Sequence, residues 1–326
     1  MSIDNQVFIQ NVIIGLTVGG YLALIALCYT MVYGIIELIN FAHCDLFAFG
    51  FFISLTIFAE INPEIPLHGS DLYFTLPAVA LLTMLLTGSL NLAIDQVAYK
   101  PLRKAPRLAP LLTAVGVSFM LEAIYAIWKG PIQIPYPRYF PKEDYMENEH
   151  VISFFSKLGM DITEWRIVSF TTKDLFLFGV TIPLVALLTL FIDRTRIGKA
   201  MRASAQDREA AMMMGINVNR IIATTFFVGG ALAGVAGMVW GLYINSGRFT
   251  MGFEAGLMAF TSAVLGGIGN IRGAVLGAFI IGMLKAMSDS YIGSEWTRVV
   301  IFGILILMLV FRPSGILGST QSIEKL

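Results

Sequence analysis

Eight stretches of this chain, at residues 9–36, 46–60, 75–98, 110–128, 175–192, 220–243, 255–287 and 297–311, are apolar and almost free of charge. Most reach the roughly 20 residues that a helix needs to cross about 30 Å of hydrocarbon. Within lipid every backbone N–H and C=O must be paired internally, so such stretches become helices. The expected fold class is therefore all-α: a polytopic integral membrane helix bundle of about 8–10 spans, two of them discontinuous. Composition supports this, with 13% charged and 56% hydrophobic residues where a soluble domain carries about 25% charge. Twenty-two basic residues balance twenty-two acidic ones, so no net positive field exists to hold nucleic acid. Cys28 and Cys44 are the two cysteines, and no Cys/His cluster has zinc-ligand spacing, which excludes a disulfide framework and a structural metal. The start, Met1-Ser2-Ile3-Asp4-Asn5, lacks the positive n-region of a secretory signal, so the first apolar stretch is expected to remain as a span.

Basic residues in short loops set the orientation, because Lys and Arg beside a span resist translocation. Residues 99–109 hold Lys100, Arg103, Lys104 and Arg107 without an acid, and residues 193–220 hold six basic residues against three acidic ones. Both loops are expected in the cytoplasm. The loop 61–74 has Glu64 and Asp71 without Lys or Arg, and the loop 131–172 has more acids than bases, so both are expected outside. No tract is long enough to separate folded units, so 1–326 reads as a single transmembrane domain. The 131–172 loop, with Phe154, Phe155, Trp165 and a Pro-rich entry, is expected to fold as an extracytoplasmic cap. A cytoplasmic Phe311-Arg312-Pro313 requires the long segment 255–287 to make two partial passes, and the side of the N-terminus stays open.

Two segments are interrupted. Glu37, Asn40, His43 and Asp45 break the stretch from Gly34 to Gly50, and Gly266-Gly267-Ile268-Gly269-Asn270-Ile271-Arg272-Gly273 cuts the segment 255–287. Paired glycine-interrupted segments point to a substrate route, because freed backbone groups and half-helix ends meet the charged ends of a solute. Asn40, His43 and the backbone of Gly266, Gly267 and Gly269 are the residues expected to line it. Glu122 lies inside the span 110–128, where an ionisable group is costly. Lys285 and Asp289 are spaced for an i,i+4 pair, whereas His43 and Asp45 at i,i+2 do not share a helical face. His43, His68 and His150 stand in separate segments without a His-Glu-x-x-His run, so no catalytic residue is assigned.

In the loop 193–220, Ser204 followed by Asp207 fits a helix start, and Gly215 suits the left-handed position that ends one. The helix from Ser204 to Gly215 is too short and polar to cross a membrane. Met212, Met213, Met214 and Ile216 beside charges suggest a protein partner. Glu209-Ala210-Ala211-x-x-x-Gly215 is similar to the Glu-Ala-Ala signature by which ABC importer permeases present a coupling helix to their ATPases. The surrounding run from Thr195 to Arg220 resembles the Liv-type branched-chain amino acid permeases. Further stretches resemble that family: Tyr33 to His43, Val97 to Arg103, Ala263 to Ile271 and Phe311 to Gly318. Three positions depart from it, with Cys44 where the family usually has Gly, and Arg208 and Arg272 where it often has Pro.

The resemblance implies a non-catalytic permease subunit in the bacterial cytoplasmic (inner) membrane. It implies as partners a sister permease, two ABC ATPases that bind ATP and Mg, and an extracytoplasmic solute-binding protein, with no cofactor in this chain. It implies branched-chain or other neutral amino acids as substrate, with urea or short amides as an alternative. Arg202, Glu209, Ala210, Ala211 and Gly215 become the ATPase-coupling residues. An ion-coupled transporter using Glu122 is the rival reading, and it leaves the Glu-Ala-Ala helix unexplained. No Gly-x4-Gly-Lys-Ser/Thr run exists, since Gly198-Lys199 leads into Ala200, so a nucleotide site is not expected here.

Overall fold

A computed structural model describes residues 3–36, 40, 42–61, 70–103, 105–106, 108–140 and 168–318. Among them the membrane helices are α1 (Ile3–Ile36), α2 (Ala42–Ile61), α3 (Ser70–Ile94), α4 (Leu108–Lys129), α5 (Thr172–Arg194), α8 (Val218–Ile244), α9 (Met251–Gly266), α10 (Ile271–Ser288) and α11 (Thr297–Phe311). Two short helices, α6 (Arg196–Gln206) and α7 (Arg208–Met213), lie between α5 and α8. Seven helices among the described residues are long and apolar enough to cross a membrane, and α9 and α11 are shorter apolar helices. The chain is a multi-pass membrane helix bundle. Strand is confined, among the described residues, to β1 (Ile134–Pro135) antiparallel to β2 (Ser246–Gly247).

The core is built around α1 and α8. Leu22 to Cys28 of α1 are fully buried on every side, as expected of an interior helix apolar all round. α8 carries Gly229, Gly230, Gly234, Gly237 and Gly241 within its buried stretch, and small residues let membrane helices approach backbone to backbone. A Cβ built on Gly50 of α2 would lie 2.2 Å from the Gly234 carbonyl oxygen, and one on Gly237 would lie 2.0 Å from the Phe47 carbonyl oxygen. Thr83, Thr87 and Asn91 of α3 and Asp95 just after it recur every fourth position and are all buried. Along α1 and α10, Gly15 meets Met283 and Gly19 meets Phe279, so these helices run antiparallel.

The segment 255–287 forms a helical hairpin, Met251–Gly266 then Ile271–Ser288, two passes as the break at Gly266–Gly273 leads one to expect. Gly267 (φ 110°) and Gly269 (φ 90°) adopt backbone that side chains rarely reach, which reverses the chain. The Asn270 side chain then accepts from the Arg272 and Gly273 amides to start α10. The break between α1 and α2 stands, since α1 ends at Ile36 and α2 begins at Ala42.

Contacts sort the loops into two ends. Arg103 donates to Asn219 at 2.5 Å, Arg208 donates to the Ile35 carbonyl at 2.5 Å, and Arg272 lies 4.0 Å from Asp193. These join the two basic loops, the end of α1 and the 267–270 turn at one end. At the other, Gln10 accepts from the Ser169 amide and Tyr136 donates its amide to the Asn245 carbonyl. The N-terminal part of α1 therefore lies at the end opposite the basic loops. Most of the cap expected at 131–172, with Phe154, Phe155, Trp165 and His150, lies outside the described residues, as do Glu37, His68 and most of the loop 61–74.

Candidate functional site

The first turn of α2 starts deep inside the bundle. The His43 Cε1 is 3.1 Å from where a Cβ on Gly229 would sit. Gly229 follows Val218 by eleven positions, so it lies ~16 Å along α8. Asn40 and His43, expected along the substrate route, come together there, both buried. The Tyr99 hydroxyl donates to Asn40 Oδ1 at 2.8 Å. Asn91 Nδ2 lies 3.5 Å from His43 Nδ1 and donates to the Phe226 carbonyl at 2.6 Å. Tyr29 meets the His43 ring edge-on at 5.9 Å, and its hydroxyl is bonded to Cys44 Sγ.

Asp45, wholly buried, turns the other way. Its Oδ2 accepts from the Ser118 hydroxyl at 2.5 Å, and its carbonyl accepts from Tyr125. His43 and Asp45 thus face different helices and do not form a base pair with a nucleophile. Several polar atoms in this region have no hydrogen-bond partner among the described residues: Asn40 Nδ2, His43 Nε2, Asp45 Oδ1, Asn91 Oδ1 and Thr30 Oγ1. An unpaired buried donor or acceptor forfeits its hydration, so this cluster is chemically suited to receive water or a polar solute. Asn91, Tyr99 and Ser118 are absent from the sequence-based set, and the four-residue recurrence of polar residues on α3 is the signal that marks Asn91.

The glycine turn contributes differently from the expectation. Gly266 and Gly267 are committed to packing within the chain: the Gly267 amide bonds to the Ala263 carbonyl, the Leu317 amide donates to the Gly266 carbonyl, and the Ile316 amide to that of Leu265. Asn270 Nδ2 adds a bond to the Leu317 carbonyl at 2.7 Å. Gly269 stands open, and a Cβ on Gly34 of α1 would lie 3.7 Å from its Cα. The 311–318 motif therefore folds under this turn, away from His43.

At the same end, α6 and α7 replace the single helix expected from Ser204 to Gly215. Asp207, not Ser204, starts the second helix: its backbone is extended (φ −154°) and its carboxylate accepts from the Glu209 and Ala210 amides at 2.9 and 3.0 Å. Ser204 is buried in α6. Asp207→Ala should weaken α7 by about 1 kcal/mol, read as faster amide exchange at Glu209 and Ala210 by hydrogen–deuterium exchange. Unchanged exchange would remove Asp207 from this role. Gly215 (φ 82°) ends α7 with its amide on the Met212 carbonyl, while the Ile216 amide reaches that of Ala211, the Schellman pairing.

The expected coupling residues divide into two groups. Glu209, Ala210 and Gly215 are exposed, together with Met212, Met213 and Met214, the last two at 85% and 82%. Ala211 is buried, so it seats α7 on its own chain and does not reach outward. Arg202 bonds the Ile192 carbonyl and pairs with Asp193 at 3.5 Å, a cation at a helix C-terminus. Lys285 and Asp289 pair at 2.5 Å as their spacing predicts.

Residues 11–309 match the family model described as the branched-chain amino acid transport system permease component. The chain is 40% identical over 322 residues to the high-affinity branched-chain amino acid transport system permease protein BraD of Pseudomonas aeruginosa, covering 98% of each. It is 37% identical over 326 residues to LivH of Escherichia coli K12, a permease protein of the same description, covering 100% of each. LivM of Escherichia coli K12, likewise named a permease protein of that system, is 28% identical over 160 residues, covering 47% of this chain and 37% of LivM. No solved structure matches the chain. With the fold, the buried polar cluster and the α6–α7 arm thus accompanied by full-length likeness, the chain belongs to the family of branched-chain amino acid transport permease components.

Proposed function

We propose that this permease is one of two membrane-spanning subunits of an ATP-driven, binding-protein-dependent importer in the bacterial cytoplasmic membrane, carrying branched-chain amino acids inward. The observation that carries the reading is the α6–α7 arm at the basic end, which exposes Glu209, Ala210 and Met212–Met214 while Arg208 bonds the last turn of α1. A partner ATPase docking on those side chains pushes α7, and the Arg208 bond together with the continuous packing of α1 on α8 passes the motion to the break before α2. Adaptable methionines suit such a surface. ATP and Mg belong to the two ATPases, and the solute-binding protein delivers substrate at the opposite end. The Escherichia coli relatives LivH and LivM, both named permease proteins of one kind of system, support pairing with a sister chain.

The buried cluster of Asn40, His43 and Asn91 is the element of the route that contacts substrate, because it holds unpaired donors and acceptors at depth. Asn40→Ala combined with His43→Ala should lower uptake at least about tenfold, the equivalent of ~1.4 kcal/mol, at unchanged membrane level. Wild-type uptake from that variant would remove these residues from the route.

The deciding experiment is uptake of labelled leucine and urea into proteoliposomes holding this chain, a sister permease, two ATPases and a binding protein, with and without a proton gradient. Leucine uptake that needs ATP and binding protein and ignores the gradient is the expected result. Uptake by this chain alone that follows the gradient overturns it in favour of an ion-coupled carrier, and urea uptake overturns the substrate assignment.

A further inference from the structure

Away from the helix ends, the charged side chains of the described spans are nearly all accounted for. Asp45 is bonded to Ser118, Lys285 to Asp289 and Asp95 to Arg103. Glu122 is the exception. It lies fourteen positions after Leu108 and seven before Lys129 on α4, about 10 Å along the helix from that outer end. Its two-methylene stem is too short to bring the carboxylate to either interface. It is half-buried, and no hydrogen bond or ion pair joins it to another described residue. A carboxylate left against lipid acyl chains is costly.

The surface around Glu122 has the relief of a helix contact. Leu112, Gly116, Phe119, Ala123 and Ile127 are exposed along one stripe of α4, alternating small and large side chains at helical spacing. Nothing lies within 4 Å of where a Cβ on Gly116 would sit. Open glycines alone do not single out α4, since Gly179 of α5 and Gly303 of α11 are equally uncontacted. The carboxylate does. The outward faces of α3 (Leu81, Leu82, Leu85, Leu86), α5 (Ile182, Leu187, Leu190) and α11 (Ile306, Leu307, Val310) are interrupted by no ionisable residue in mid-span and suit lipid. α4 is also lightly held, packing on α2 and on the turn at 95–99. On its inner side Ser118, one turn before Glu122, bonds Asp45, so polar groups run from the buried cluster through α4 to the exposed face.

We propose that the Leu112–Ile127 stripe of α4 is where the sister permease chain docks, with Glu122 meeting a hydrogen-bond donor or a cation of that chain. This rests on the proposed two-permease importer and names the face by which the two chains join.

The test uses the co-expressed complex of this chain, the sister permease and the ATPases. A photoactivatable benzoyl-phenylalanine replaces Phe119 or Ile127 on α4, or, as comparisons, Leu85, Ile182 or Leu307. Light should join the first two positions to the sister chain and leave the other three uncrosslinked to it. Glu122→Arg should lower recovery of the sister chain at least about tenfold with this chain's membrane level unchanged, while Glu122→Gln, which keeps hydrogen-bonding capacity, should retain most of it. An active complex whose sister cross-links from α3, α5 or α11 but not from α4 overturns the docking face and leaves the importer reading standing. Crosslinks from α4 to a second copy of this chain also overturn it, as does a complex that never recruits a sister chain, which overturns the two-permease reading with it.

Discussion

Gly50→Leu is expected to abolish recovery of the folded permease. The three atoms nearest to a Cβ on Gly50 are all backbone atoms of Gly234, at 2.2, 2.5 and 2.7 Å, so no rotamer change relieves the collision. α2 and α8 must separate instead, which opens the packing that holds His43 against Gly229. Overpacking a core by one side chain costs about 1–3 kcal/mol and more where backbone must move, and the ~1 kcal/mol gained in helix propensity by removing Gly does not offset it. Two kinds of measurement read the outcome: the monodisperse fraction extracted in mild detergent, and the thermal unfolding midpoint. Gly179→Leu, at an open glycine of α5, is the matched control and should behave as wild type. Normal recovery of the Gly50 variant would mean that α2 and α8 do not touch backbone to backbone.

Gly215→Pro is expected to reduce ATP-dependent uptake at least tenfold, equivalent to about 1.4 kcal/mol, while the subunit stays in the membrane. Proline holds φ near −65°, and Gly215 sits at 82°. Proline also removes the amide that bonds the Met212 carbonyl. The end of α7 then unwinds and the exposed Met212–Met214 surface loses its shape, while the spans, which make no use of this turn, keep theirs. Gly215→Ala keeps the amide and strains only the backbone, so it should fall between wild type and the proline variant. Uptake and ATPase stimulation in the reconstituted complex measure both. Full uptake from Gly215→Pro would separate α7 from energy coupling.

Much of this could be read from residues in order. Apolar length located the spans, and the basic loops grouped Lys100–Arg107 with 193–220, two segments that Arg103 and Asn219 join in space. The need for two passes between 255 and 287 was legible from the sidedness of Arg312, although the hairpin itself depends on positive φ at Gly267 and Gly269. Local rules misplaced the start of the coupling helix by one turn, because Ser204 and Asp207 are both good caps and only the burial of Ser204 in α6 decides between them. The same limit applies to Ala211, whose smallness suits an external groove and an internal seat equally well.

Sequence alone determined that the chain lives in a membrane, which end of it is basic, and that Asn40 and His43 interrupt an apolar run where polarity is expensive. Those are properties of composition along the chain, and they survive without knowledge of neighbours. Tertiary structure decided which polar groups meet. Asn91 and Tyr99 come from α3 and the turn after it to face residues about 50 to 60 positions earlier, and Ser118 reaches Asp45 across 73. The glycines of α8 allow helices to close to backbone contact, and only that closeness converts scattered polar residues into one cluster. Helix periodicity states which face a residue is on; which other helix that face meets is a matter of packing.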